Sequence, residues 1–90
     1  MEKIGRVLWW SDKDKNGIIT DPRGNEYYFD ESVLKTISKK KVISGAIVLF
    51  DENTSVIDVV CAKNVEIPLG KSKEKLEKIY QIESVQLSLF

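Results

Sequence analysis

The alternation of apolar and polar residues divides the chain into a β-rich body and a helical segment. Between residues 4 and 67, short runs rich in β-branched and aromatic residues are separated by Asp, Asn, Gly and Pro, which is typical of strands joined by turns. The runs predict five strands, at 4–10, 17–20, 26–30, 46–50 and 56–67. In the third run Tyr27 and Phe29 share one face and Tyr28 takes the other, so we assign Tyr27 and Phe29 to the core.

The pattern changes to a helical one after Pro68. Apolar and polar residues then recur at helical spacing, and they predict one helix over residues 72–85 with Ser72 as its N-cap, ending near Val85. The lysines of this segment are typical of a solvated helix face. The prediction is therefore an all-β body followed by one short helix.

The composition is that of a small globular domain. Hydrophobic residues make up 42% of the chain and charged residues 31%, and no apolar run is long enough to span a membrane. No secretory signal is visible, which favours a cytoplasmic location. The net charge is zero, from 14 basic and 14 acidic residues, so any binding of nucleic acid must depend on a local basic patch.

The residue types that catalysis and metal binding require are scarce. The chain has no histidine, no serine in a nucleophile elbow and no glycine-rich phosphate loop before a helix. Its single Cys61 has no partner for an internal disulfide, and we assign it to a strand as a small buried side chain. The acidic residues follow no calcium-loop spacing and suit turns instead; they are Asp12, Asp14, Asp21, Asp51, Glu52 and Asp58. We therefore predict a protein that is not an enzyme and holds neither metal nor cofactor.

Five segments of the β-rich body form an ordered set. They are Gly5-x-Val7-x-Trp9-Trp10, Gly17-Ile18-Ile19, Glu26-Tyr27-Tyr28-Phe29 with Ser32, Gly45-Ala46-Ile47-Val48-Leu49-Phe50-Asp51, and Ala62-Lys63-Asn64-Val65. Together they resemble the bacterial cold-shock domain over residues 4–67. The resemblance implies a five-stranded OB-type Greek-key barrel with a long connection between its third and fourth strands.

The cold-shock family binds single-stranded nucleic acid by stacking bases on aromatic side chains of the outer barrel face. The resemblance carries three of these aromatics over to this chain, as Trp9, Trp10 and Tyr28. Four other positions depart from the family pattern: Asn16 and Ile18 replace aromatics of the second strand, and Asp30 and Glu31 replace a histidine and a phenylalanine. Fewer stacking residues and two added carboxylates imply weaker binding of DNA or RNA than in the family.

Basic residues remain near the tryptophans in the sequence, and they favour a weak, non-specific nucleic-acid site. They are Lys3, Arg6, Lys13 and Lys15, together with Lys39, Lys40 and Lys41 on the long connection. The alternative reading of the two tryptophans is structural, with one packed into the core and the other on the barrel rim.

The last five residues form an apolar pentapeptide, Gln86-Leu87-Ser88-Leu89-Phe90. It resembles, at every position, the motif by which bacterial polymerases and repair proteins dock on the replicative sliding clamp, the β subunit of DNA polymerase III. The resemblance implies an extended segment that places Leu89 and Phe90 in an apolar pocket and Leu87 in an adjoining groove, with Gln86 hydrogen-bonded and Ser88 facing outward. The alternative is an apolar end that packs back on the barrel or continues the helix.

These expectations divide the chain into four parts. They are a cold-shock-like barrel (1–67), a linker (68–71), a helical spacer (72–85) and an extended clamp-binding tail (86–90). The leading hypothesis is an adaptor that docks on the clamp while its barrel binds single-stranded nucleic acid or protein weakly. It would act in replication or repair, in clamp-dependent transcription of a phage or mobile element, or in clamp inhibition. The alternatives are a free cold-shock-type RNA- or DNA-binding protein with a structural tail, and a protein-interaction barrel.

Overall fold

The computed structural model describes residues 2–35, 42–53 and 60–88. Within these ranges five strands form a closed β-barrel, and one helix follows them. The elements are β1 (Glu2–Ser11), β2 (Asn16–Thr20), β3 (Glu26–Asp30), β4 (Ile47–Asn53), β5 (Cys61–Glu66) and α1 (Gly70–Ser88). The prediction of an all-β body with five strands and a C-terminal helix is confirmed. The first part of the predicted fifth strand, with Asp58, lies outside the described residues.

The strands follow the order β1-β2-β3-β5-β4 around the barrel. β1 pairs antiparallel with both β2 and β4, and β4 pairs antiparallel with β5. The barrel closes where β3 meets β5 in parallel, through Tyr28 and Cys61. Closure pairs strands that would otherwise form the edges of an open sheet.

The barrel interior is filled by apolar side chains from all five strands. Tyr27 and Phe29 are 4% and 1% exposed, which confirms their assignment to the core. The ring of Tyr27 lies 4.9 Å from that of Phe50, and side chains from β1, β2 and β5 complete the cluster. Cys61 is half-buried at the start of β5 rather than buried as predicted.

The turn between β2 and β3 is organised around one buried carboxylate. Asp21 accepts hydrogen bonds from the backbone N–H groups of Arg23 and Asn25, both at 2.9 Å, and from the Asn25 side-chain amide at 3.0 Å. The Tyr27 hydroxyl donates to the same carboxylate at 3.1 Å. Burial raises the pKa of Asp21, but these hydrogen bonds outweigh it and the net pKa is lowered. Burial and the bond to Asp21 raise the pKa of Tyr27 to about 12.

Helix α1 is longer at both ends than the sequence predicts. It begins at Gly70, so Ser72 lies inside the first turn rather than at the N-cap. It ends at Ser88 rather than near Val85, so the backbone of residues 86–88 is helical and not extended. This part of the alternative reading, a continued helix, therefore holds through Ser88. Leu89 and Phe90 lie outside the described residues.

Helix α1 contacts β1 and β4, and its partly buried residues are Leu76, Glu77, Ile79, Tyr80 and Ser84. The Tyr80 hydroxyl lies 3.3 Å from the Thr20 hydroxyl, and it donates to the backbone carbonyls of Thr20 at 3.4 Å and Asp21 at 3.3 Å. A tyrosine ring with its hydroxyl satisfied by the barrel fixes both the position and the rotation of the helix.

Candidate functional site

A β-bulge in β1 determines which tryptophan faces solvent. The pairing of β1 with β2 shifts between Val7 and Trp9, so one extra residue, Leu8, lies in β1. Val7 is buried, whereas Leu8 and Trp9 are 50% and 43% exposed. Regular alternation resumes after the bulge, which turns Trp10 back toward the interior.

Trp9, Ile18 and Tyr28 lie side by side on the outer face of the barrel, and we call these three residues the outer row. Trp9 pairs with Ile18 across β1 and β2, and Ile18 pairs with Tyr28 across β2 and β3. Paired residues in a sheet project to the same face, and neighbouring strands lie about 4.8 Å apart. Two aromatic side chains about 10 Å apart, with an aliphatic one between them, are therefore available to bases or to apolar groups of a partner.

Trp10 is not part of the outer row. Its ring stacks on Phe29 at a centroid distance of 5.1 Å, and its indole N–H donates to Asp12 at 3.1 Å. It packs against the core cluster. The structure thus separates the two tryptophans that the resemblance to cold-shock domains grouped together, with Trp10 packed and Trp9 exposed.

The predicted basic residues divide between the two ends of the barrel. Lys13 and Lys15 are exposed in the turn that joins β1 to β2, near the outer row. Arg6 instead donates to the carbonyl of Gly45 at 2.7 Å, and its guanidinium lies 5.0 Å from the centre of the Tyr80 ring. Lys3 lies 4.0 Å from a carboxylate oxygen of Glu52. Of these four, Lys13 and Lys15 remain in place to contact phosphate.

The long connection carries the other predicted lysines. Lys39, Lys40 and Lys41 lie outside the described residues.

Two acidic residues border the outer row. Asp30 caps the short 3₁₀ turn Glu31–Val33, because its carboxylate accepts hydrogen bonds from the backbone N–H of Ser32 at 3.0 Å and from the Ser32 hydroxyl. Asp30 also pairs in register with Asn16, whose amide donates to the Tyr28 hydroxyl at 3.4 Å. Glu31 is exposed. The carboxylate of Asp30 therefore has a structural role, while that of Glu31 adds an exposed negative charge next to Lys15, whose carbonyl accepts the Glu31 backbone N–H at 3.0 Å.

Two exposed apolar residues extend this surface and were not assigned to it from the sequence. Leu8 adjoins Trp9 at the bulge. Val60 is 50% exposed, and its carbonyl accepts the backbone N–H of Tyr28 at 2.9 Å. Neither has a sequence signal, because Leu8 lies within an apolar run and Val60 lies within the strand predicted at 56–67, whereas the observed β5 begins at Cys61.

Concave regions occur at both ends of the barrel. A cavity of 690 Å³ lies between β1, the turn after β2 and α1, and its lining includes Tyr27, Asp21 and Glu83. A depression of 140 Å³ adjoins Tyr28 where β3 meets β5, beside Ser32. Across residues 2–35, 42–53 and 60–88, no three His, Cys, Asp or Glu side chains are grouped as metal ligands. The described part of α1 lacks the length of apolar sequence that crossing a membrane requires.

The proposed clamp-binding residues follow an exposed part of α1. Ile82 and Val85 are 58% and 57% exposed, and they lie about two turns and about one turn, respectively, before the helix ends. Gln86, Leu87 and Ser88 form the last helical residues. No family model matches the chain, and no curated protein matches it. The likeness to cold-shock domains and to the clamp motif thus depends on the residues quoted above.

Proposed function

We propose that this protein is a non-enzymatic adaptor that docks on the bacterial sliding clamp through Gln86–Phe90. The observation that carries the proposal is the match of this pentapeptide to the clamp-binding motif at all five positions. In the docked state Leu89 and Phe90 fill an apolar pocket, and Leu87 fills the adjoining groove. Burial of each such side chain contributes about 1.5–3 kcal/mol, which offsets the cost of ordering the peptide and leaves an affinity of about micromolar.

The attachment of α1 to the barrel supports a tethering role. Tyr80 holds the middle of the helix against β1 and β2, whereas Ile82 and Val85 beyond it are exposed. The docking segment therefore begins at the end of a helix that is itself fixed to the barrel. A partner that captured this segment would hold the barrel at a short, defined distance.

For the barrel we propose the OB-type Greek-key fold of cold-shock domains and weak binding of single-stranded DNA or RNA. The closed strand order β1-β2-β3-β5-β4 supports the fold, and the outer row supports the binding. Each stacked base contributes about 1–3 kcal/mol, and here only Trp9 and Tyr28 offer aromatic rings in this row. Docking at a clamp raises the effective concentration of nearby DNA, so weak binding becomes useful there.

The proposal suits a role in replication or repair, in clamp-dependent transcription of a phage or mobile element, or in clamp inhibition. A second candidate is a free single-stranded nucleic-acid-binding protein. One observation favours it, which is the exposure of the Trp9 side chain. Such a protein would bind oligonucleotides tightly, with strong quenching of tryptophan fluorescence and marked salt dependence, and would not need the clamp. A protein-interaction barrel would instead keep its function when both Trp9 and Tyr28 are replaced by alanine.

Binding to purified clamp tests the leading proposal. Immobilised clamp is titrated with the full chain, with a chain that lacks residues 86–90, and with the double variant Leu89→Ala and Phe90→Ala. We expect micromolar binding by the full chain and at least about tenfold weaker binding by both altered chains, because two anchors are lost. The matched control is Lys78→Ala, which changes an exposed side chain of α1 outside the pentapeptide and should bind as the full chain does. Equal binding by the truncated chain would overturn the proposal.

A further inference from the structure

The last turn of α1 overlaps the proposed docking segment. The helix extends through Ser88, so the backbone of Gln86, Leu87 and Ser88 is helical. A helix turns by about 100° per residue, so residues two apart project to nearly opposite sides, whereas in an extended segment they share a side. A groove and pocket that receive Leu87 and Leu89 from one direction therefore require extended backbone in this segment.

We propose that this overlap makes the last turn of α1 a conformational gate on docking, in which residues 85–88 leave the helix before the peptide binds. The inference rests on the proposed clamp docking. In the helical state the peptide is withheld, and in the unwound state it binds. The apparent dissociation constant is then the intrinsic constant divided by the unwound fraction.

The composition of the helix end favours such a gate. Ser84, Val85 and Ser88 are weaker helix formers than alanine. The last turn contains no basic residue to complement the negative end of the helix dipole. Both features lower the cost of unwinding at this end.

The barrel determines where the unwinding stops. Tyr80 is held by the Thr20 hydroxyl and the Asp21 carbonyl, each at 3.3 Å, and Ser84, one turn later, is still partly buried. Val85 is 57% exposed. We therefore place the boundary of the gate between Ser84 and Val85, with the stable part of the helix acting as a fixed base for the released peptide.

Two variants with opposite effects on the helix test the gate. Alanine at both positions 84 and 85 (Ser84→Ala with Val85→Ala) stabilises the last turn, and we expect about fivefold weaker binding to purified clamp. Glycine at both positions (Ser84→Gly with Val85→Gly) destabilises it, and we expect binding equal to or tighter than that of the unaltered chain. Both variants remove the Val85 side chain, so loss of a direct contact would weaken both. Ser72→Ala makes the same kind of change at the other end of α1 and should leave binding unchanged.

Amide hydrogen exchange gives a second measurement. When clamp is added, the backbone amides of residues 86–88 should lose helical protection while that of Tyr80 keeps it. If clamp binding requires residues 86–90 but the alanine and glycine variants bind alike, or the amides of 86–88 stay protected, the gate is wrong and docking stands. If removal of residues 86–90 leaves clamp binding unchanged, docking itself is wrong.

Discussion

The ring of Trp10 in β1 stacks on the ring of Phe29 in β3, with 5.1 Å between the ring centroids. Gly17, in the strand between them, separates the two residues in the sheet. Gly17 pairs in register with both residues, and its missing side chain leaves room for the two rings to meet. A Cβ atom at this position would lie 3.1 Å from Cε3 of Trp10 and 3.2 Å from Cε1 of Phe29, and closer still to the carbonyl oxygen of Trp9. The stack therefore depends on glycine in the middle strand.

Replacing Gly17 with alanine should lower the free energy of unfolding by about 1–3 kcal/mol, because the added methyl group clashes with the carbonyl oxygen of Trp9 and overpacks the contact between Trp10 and Phe29. Urea denaturation followed by tryptophan fluorescence measures the change. Lys13→Ala, in the exposed turn next to these strands, serves as a control that should leave stability unchanged. Wild-type stability in Gly17→Ala would contradict the packing described for Trp10.

The two tryptophans should respond to alanine substitution in opposite ways. Trp10→Ala removes a ring packed on the core and should cost about 2–4 kcal/mol of stability. Trp9→Ala removes an exposed ring and should change stability by less than about 1 kcal/mol, yet weaken binding of a thymidine oligonucleotide by about 1–3 kcal/mol. Urea denaturation and a fluorescence titration distinguish the two effects. Unaltered oligonucleotide affinity in Trp9→Ala would exclude the outer row as a stacking surface.

Removing the charge of Glu31 should strengthen binding of single-stranded DNA at low salt. Glu31→Gln deletes an exposed negative charge next to Lys15, and we expect about twofold tighter binding at low salt, with the difference lost at high salt because the charge is screened. A titration at two salt concentrations checks both parts. Asp30→Asn is the informative comparison, because it also weakens the cap on Ser32 and so should lower stability as well. An increase in affinity that persists at high salt would show that electrostatic repulsion is not the cause.

Asp21 should make stability depend on acid pH. Its pKa is lowered from 3.8 in the folded protein because hydrogen bonds to the carboxylate outweigh the effect of burial. A group with a lowered folded pKa stabilises the fold above its unfolded pKa, and that stability is lost as pH falls through the folded pKa. Asp21→Asn should therefore cost about 1–3 kcal/mol near neutral pH and lose stability less steeply than the wild type below about pH 4.

Urea denaturation at neutral pH and at two pH values below 4 measures this difference. Ser72→Ala, which changes an exposed side chain that does not titrate, is the control and should keep the wild-type acid dependence. If the free energy of unfolding fell equally with pH in the wild type and in Asp21→Asn, a group other than Asp21 would cause the loss of stability in acid.

Local patterns in the sequence predict much of the fold. Strict alternation places Tyr27 and Phe29 in the core, since a strand with one buried face admits a single register. The ends of α1 were predicted less well, because serine is favoured at N-caps and disfavoured within helices, whereas here the helix begins at Gly70 and extends through Ser88. The capping residues in the sequence do not mark where this helix begins and ends. The contacts of Tyr80 with the barrel stabilise the helix instead.

The candidate site depends more on non-local contacts, which a single sequence does not record. Arg6 lies near the tryptophans in the sequence, but its guanidinium is placed on Tyr80, 74 positions along the chain. The apolar run Leu8-Trp9-Trp10 gives no alternation from which to choose the exposed ring. The resemblance to cold-shock domains placed Trp9 and Tyr28 on one outer face, and the pairing through Ile18 brings them into one row.

The extra residue at Leu8 also sets how β1 tolerates changes in length. If residues 7 to 10 alternated regularly, without the bulge, Trp9 would share the inward face of Val7 and Trp10 would point to solvent. The two indole rings would then exchange places. Deleting Leu8 keeps Trp9 outward and Trp10 inward, because Val7 and Trp9 then alternate directly. Inserting one further residue there would also keep Trp9 outward under regular alternation, but it would move Trp9 out of register with Ile18 and break the outer row.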